Sequence, residues 1–186
     1  MTRSKRQQTR DTILSSAWQL FHQQSYAETT TRQIATAAGV ATGTVFSHFP
    51  SKIDLLKAGV EQQVERVLHE AEASDTAHSP AERLLHYARY LFAYYLEQRE
   101  FSMELFKELL WQQPQLKPQI IAFQQRLFSH QSAYDPILPQ VMMELYFMTL
   151  ITGLQTPEAT ADTLLESLRQ RLACLQRPQD SQVSLS

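Results

Sequence analysis

Apolar residues recur along this chain at three-and-four spacing between short polar stretches, and no segment alternates apolar with polar positions long enough to read as a strand. The pattern predicts an all-α protein of about nine helices. The first, 5–24, gathers Ile13, Leu14, Ala17, Trp18 and Phe21 on one face. Two short helices follow at 31–38 and 42–49. A fourth starts at Ser51, with Asp54 placed near the free N–H groups of its first turn, and its stripe Ile53, Leu56, Val60, Val64, Val67, Ala71 marks a long connecting helix.

The polar run 74–80 is the clearest break in the chain, and Ser79-Pro80-Ala81-Glu82 after it is a strong helix-start signal. The helix that follows, to about Arg99, has Leu84, Ala88, Leu91 and Phe92 on one side and Tyr87, Tyr90 and Tyr94 on another, so it belongs in the centre of a bundle. Further helices are expected at 103–113, stopped by Pro114, and at 118–130. Asp135-Pro136 and Thr156-Pro157 are read as cap-then-proline signals opening helices at 136–153, ended by Gly153, and at 157–175. The polar tail, 178–186, is expected to be disordered.

Composition narrows the class. Only four of 186 residues are glycine, which suits helices. The single cysteine, Cys174, excludes an internal disulfide or a multi-cysteine zinc site and points to a cytoplasmic protein. No run of 18 apolar residues is present, so no membrane association is expected. Net charge is −2, but the first 57 residues hold seven cationic against three acidic side chains, +4, which leaves −6 for the rest. A basic N-terminal part on an acidic body points to a polyanion at that end.

The stretch 30–52 explains what the basic end is for. Thr30 and Gln33 form a capping box that starts a short helix with Ile34, Ala35 and Ala38 facing inward. Gly39 falls where the chain must turn through a left-handed conformation, and Val40 fills the corner. A second short helix turns Val45 and Phe49 inward. Helix, glycine turn, helix is the helix-turn-helix arrangement, in which the second helix enters the major groove. Its groove-facing residues are Thr42, Gly43, Thr44, Phe46 and Ser47, short or flat enough for close approach and able to meet thymine methyls. Thr31, Arg32, His48 and Lys52 surround it as candidate phosphate contacts.

These residues, T-x-x-x-I-A-x-x-A-G-V-x-x-G-T-V-F-x-H-F-x-S-K-x-x-L-L from Thr30 to Leu56, resemble the DNA-binding signature of the TetR family of bacterial transcriptional regulators. The resemblance implies a three-helix DNA-binding head (1–50), a connecting helix (51–73) and an all-helical ligand-binding and dimerisation body (74–177). It implies a homodimer on a palindromic double-stranded operator, a small-molecule effector and no cofactor. Two positions depart from the pattern: Phe46 stands where members usually have Tyr, and Ala41 where a capping Ser or Thr is common, weakening that cap by about 1 kcal/mol. Thr42 could take over as cap and shift the helix start by one residue.

For the effector, the aromatic and methionine residues of the body are candidates: Phe92, Tyr95, Met103, Phe106, Trp111, Phe123, Met142 and Tyr146. Core packing is the competing reading for each. For the dimer, the stripes of the last two helices are candidates, with Val141, Leu145 and Thr149 on one and Leu164, Leu165, Leu168 and Leu172 on the other. A helical enzyme is disfavoured: the six histidines are scattered, no paired Glu-x-x-His motif is present, and Cys174 reads as a small packing residue. A DNA-associating protein without sequence preference is the remaining alternative.

Overall fold

The computed structural model describes residues 4–109, 113–129 and 135–175, and its regular elements are all α-helices. In chain order they are α1 (Lys5–Glu28), α2 (Thr31–Ala37), α3 (Thr42–His48), α4 (Lys52–Ala73), α5 (Pro80–Glu97), α6 (Arg99–Leu109), α7 (Gln113–Leu127), α8 (Leu138–Gln155) and α9 (Ala161–Leu175). None of the described helices is long and apolar enough to cross a membrane. Trp111 and the tail 178–186 lie outside the described residues.

Contacts divide the chain into two units, one of Met1–Arg66 with Glu100–Glu108 and the other of Val67–Arg99 with Leu109–Ser186. The division therefore cuts α4 internally, between Arg66 and Val67, and otherwise falls at the first and last residues of α6. In the first unit, Ile13, Ala17 and Phe21 of α1 are buried with Ile34 of α2, Val45 of α3 and Phe49 just beyond it. α6 joins this unit: Phe101 is buried, its ring centroid 5.4 Å from that of Trp18 and 6.1 Å from that of Phe21. In the second unit α5 is the central helix, packed against α7, α8 and α9.

Local signals placed most helix starts. Ser79 and Glu82 make the expected capping box on α5, with Pro80 in the first turn. Ser51 Oγ caps Asp54 N at 3.4 Å and donates to Asp54 Oδ2 at 2.6 Å. α1 runs on to Glu28 rather than ending at 24, and α6 starts at Arg99 rather than 103; three further starts differ from expectation, each for a physical reason. α7 already runs at Gln113, because Pro114 sits in a first turn that needs no N–H, and Pro118 is carried inside the helix. α8 starts at Leu138, since Asp135 Oδ1 accepts the Ile137 N–H at 2.8 Å and Asp135-Pro136 builds a turn before the helix. α9 starts at Ala161, capped by Thr160, whose Oγ1 accepts the Thr163 N–H at 3.2 Å; Thr156-Pro157 only leads into the turn ahead of it.

Gly153 does not end α8, which continues to Gln155. A Cβ there would come within 2.5 Å and 2.6 Å of the two methyls of Leu164, so the glycine is a notch that lets α9 lie against α8. α1 carries the one non-glycine residue with positive φ among the described residues, Ser25 at φ 71° and ψ 162°, in a region occupied almost only by glycine and costing a side-chain-bearing residue about 1–3 kcal/mol.

Candidate nucleic-acid interface

The helix-turn-helix stands as the sequence implies. Thr30 Oγ1 accepts the Gln33 N–H at 3.2 Å while Gln33 Oε1 accepts the Thr30 N–H at 2.8 Å, which fixes the start of α2. Gly39 takes φ 66°, and its N–H and that of Val40 close the end of α2 on Thr36 O and Ala35 O. α3 then begins at Thr42. Ala41 is its cap and offers no side-chain bond, so Thr42 stays inside the helix and the start does not shift. Val45 is fully buried and Phe49 nearly so, which pins the inner face of a helix only two turns long.

The outer face carries the candidates. Gly43 and Ser47 are exposed, Thr42 and Thr44 half-buried, and Phe46 leaves 46% of its surface in solvent. Ser47 Oγ donates to Thr44 O at 2.8 Å and keeps lone pairs free to accept. A Cβ on Gly43 would meet nothing within 4 Å, and the residue is helical. Among the described residues nothing therefore calls for glycine at a position where alanine would favour the helix by about 1 kcal/mol.

Around α3, Arg32 is exposed on α2, Thr31 is half-buried at its start, and His48 lies in the last turn of α3, where a cation meets the negative helix end. Arg10, which the motif alone did not single out, holds its guanidinium carbon 4.6 Å from the Phe49 ring centroid and adds a cation beside α3. Lys52 does not stand free. Its Nζ donates to Tyr26 O at 2.8 Å and Ala27 O at 3.3 Å and lies 4.3 Å from the Tyr26 ring centroid. The Tyr26 phenol is pushed up to about 12 by burial and then by the charges of Glu104, Glu108 and Asp54, so the surroundings of Lys52 are acidic.

The effector candidates fall in two places. Met103, exposed, and Phe106, buried, belong with α6 to the first unit. Phe92, Tyr95, Phe123, Met142 and Tyr146 belong to the second. There Phe92 and Tyr146 stack with centroids 5.2 Å apart and planes 7° from parallel, and Phe123 lies 6.2 Å from Tyr146. Burial pushes the Tyr95 and Tyr146 phenols upward, so both keep their protons at any ordinary pH.

Of the dimer candidates, Leu164, Leu165, Leu168 and Leu172 are buried inside the second unit, where α9 packs on α5 and α8; the surface expected of them is already used. Thr149 is buried as well, its hydroxyl donating to Leu145 O at 2.7 Å and accepting from Arg171 Nη1 at 3.3 Å. Outward, α8 leaves half-buried Val141 and Leu145 in line with Met148, 55% exposed, and with Ile137 just before the helix, 61% exposed.

Residues 13–58 match the model of the bacterial regulatory proteins, tetR family. The HTH-type transcriptional regulator TtgR of Pseudomonas putida is 35% identical over 75 residues, 40% of this chain and 36% of TtgR; the chain thus spans about a third of that relative's length. A TetR-family transcriptional regulator from Pectobacterium atrosepticum superimposes with TM-score 0.70 at 22% identity, over 95% of this chain and 96% of that one. Thermus thermophilus FadR, a TetR-family transcriptional repressor solved in complex with lauroyl-CoA, gives TM-score 0.66 at 22% identity, over 93% of this chain and 97% of its own.

Proposed function

We propose that the chain is a member of the TetR family of bacterial regulatory proteins, whose model residues 13–58 match, and that it is a cytoplasmic, ligand-responsive transcriptional repressor that binds a palindromic operator as a homodimer. The observation that carries the reading is the outer face of α3. It is made of short or flat residues and includes Gly43, whose missing side chain serves no purpose inside the protein but lets the backbone approach a duplex. Thr42, Thr44, Phe46 and Ser47 face the bases. Thr31, Arg32 and His48 hold phosphates, with Lys52 shaping the head behind them.

No outward side chain of α3 is an Arg, Lys, Asn or Gln able to pair with a base edge through two hydrogen bonds. Readout by α3 rests on hydroxyls and on apolar contact of Phe46 and the threonine methyls with thymine. Dimerisation uses half-buried Val141 and Leu145 and exposed Met148 of α8 together with exposed Ile137 just before it, a stripe that a second copy would bury. The effector is a small apolar or aromatic compound taken up near Phe92, Phe123 and Tyr146. A FadR of the same fold bound to lauroyl-CoA supports a body able to take an apolar group.

Mechanistically, the effector binds better to a conformation whose two heads are wrongly spaced for the operator, and operator affinity falls by that difference in binding energy. Selection from random duplexes tests the reading. An inverted repeat with half-sites about 34–36 Å apart, or a multiple of it, is expected. Recovery of no preferred sequence, with binding that only weakens as salt rises, would overturn it.

A further inference from the structure

The first turns of α1 hold the cations Lys5, Arg6 and Arg10, and among the described residues none of them makes an ion pair. Lys5 and Arg6 stand in a first turn without an acidic residue, at the helix end whose positive dipole disfavours cations. Arg6 and Arg10 are four residues apart on one face, where like charges destabilise a helix. Both arrangements work against the free protein and suit one that meets a polyanion there.

Arg10 is braced where α3 ends. Its guanidinium carbon lies over the Phe49 ring, 4.6 Å from the centroid. Phe49 is the C-cap of α3, its N–H donating to Val45 O at 2.8 Å, and it is 2% exposed, so the core fixes the ring. The contact uses the flat carbon centre and engages none of the five N–H donors. An α-helix with its side chains is about 10–12 Å across and the major groove about 12 Å wide, so a helix that enters the groove fills it. With the base edges met from the N-terminal residues of such a helix, a cation beside its far end lies against the sugar–phosphate wall.

We propose that Arg10, braced on Phe49, holds a backbone phosphate at the edge of each half-site, and that Arg6 extends the contact one turn along α1. The inference rests on the DNA-binding reading given above and adds α1 to its interface. It also supplies a charge in place of Lys52, whose ammonium is turned inward onto Tyr26 O and Ala27 O. The planar arginine fork matches a phosphate through two parallel N–H···O bonds. A phosphate contact of this kind fixes register on the duplex and carries no base preference.

The test uses the full chain and a duplex recovered by selection, with affinity read between about 50 and 200 mM salt. Arg10→Met keeps an apolar stem over Phe49 and removes the charge. The slope of log affinity against log salt then falls by about 0.9 per half-site, or about 1.8 for the dimer, so its shortfall in affinity shrinks about twelvefold across that range. Arg10→Lys keeps a cation on the phosphate and restores the slope. Arg6→Ala, at an exposed position, lowers the slope by a like amount and melts no lower than the unaltered protein. Thermal melting establishes which variants fold, and Arg6→Ala decides if Arg10→Met does not. An arginine that only packs on Phe49 would, when replaced, lower the melting temperature and leave the slope as it was. An unchanged slope in folded Arg10→Met, or in Arg6→Ala where that variant decides, overturns the inference. Failure of the unaltered protein to bind any selected duplex instead overturns the DNA-binding reading, and the inference with it.

Discussion

Replacing Lys52 with methionine separates two roles that its position in the DNA-binding signature leaves open. Methionine keeps most of the apolar stem and removes the charge. The ammonium makes two bonds to main-chain oxygens, at 2.8 Å and 3.3 Å, and lies over the Tyr26 ring. A hydrogen bond to a charged group contributes about 1.5–3 kcal/mol, the longer one less, and a partly exposed cation–π contact about 0.5–1 kcal/mol. Discounted for the half-exposure of Lys52, the sum is about 2–3 kcal/mol, which lowers the melting temperature by about 5–10 °C in a chain of this length. If Lys52 spends its charge on the end of α1, the slope of log affinity against log salt stays as it was. If it held a phosphate in each half-site, that slope would fall by about 0.9 per lost contact, or about 1.8 for a dimer. Thermal melting and fluorescence anisotropy of a labelled operator between 50 and 200 mM salt, a span over which about 6–10 phosphate contacts change affinity by several decades, decide between them. A variant that melts like the unaltered protein and loses about 1.8 from the slope would refute the reasoning.

Three further outcomes follow from the same geometry. Gly153→Ala places a carbon within 2.6 Å of both Leu164 methyls and 2.9 Å of Cγ, so rotating the leucine does not clear it. The overlap costs about 1–3 kcal/mol against a helix gain of about 1 kcal/mol, so urea melts should show a net loss of up to about 2 kcal/mol, relieved by Leu164→Ala in the same chain; a gain would contradict the notch. Asp75 has a lowered pKa: burial raises it, but the Ala77 N–H and the Arg83 guanidinium, whose Nε is 2.7 Å from Oδ2, lower it further. Its contribution is therefore whole above the unfolded value of about 3.9 and is lost as pH falls through the lower folded value, so urea midpoints should drop more steeply below about pH 4 in the unaltered protein than in Asp75→Asn. Parallel curves would count against it. Finally, replacing the contacted thymines of a selected operator with uracil should weaken binding about fourfold per methyl, from about 0.8 kcal/mol of apolar contact, and the loss should shrink in Phe46→Ala; an operator indifferent to the methyls would reject that mode of readout.

The features legible in the sequence were those whose partners lie within one turn. Thr30 with Gln33 and Ser79 with Glu82 announce α2 and α5 because each box closes over three residues. Gly39 announces the turn because its conformation is a property of its own backbone. Proline was the weaker guide. It restricts the residue before it and so marks where a chain leaves one conformation, which at Asp135-Pro136 and Thr156-Pro157 is a turn ahead of the next helix. The Leu164–Leu172 stripe showed burial without showing against what. Gly153 has the composition of a helix stop, and only the fold brings Leu164 over it. The bonds of Arg99 to Gly153 O and of Glu100 to the Tyr26 N–H left no local pattern, since they join positions 54 and 74 residues apart.

Gly43 has a consequence for how this protein changes over generations. Because nothing among the described residues meets a Cβ there, a single change to alanine should make the free protein more stable by about 1 kcal/mol, and on the proposed reading only an occupied operator would penalise it. A gene copy that lost its target would drift first at this codon, and its product would fold better while reading nothing. If α3 reads DNA as proposed, glycine at position 43 is a mark of employment, inherited for the sake of a molecule outside the fold.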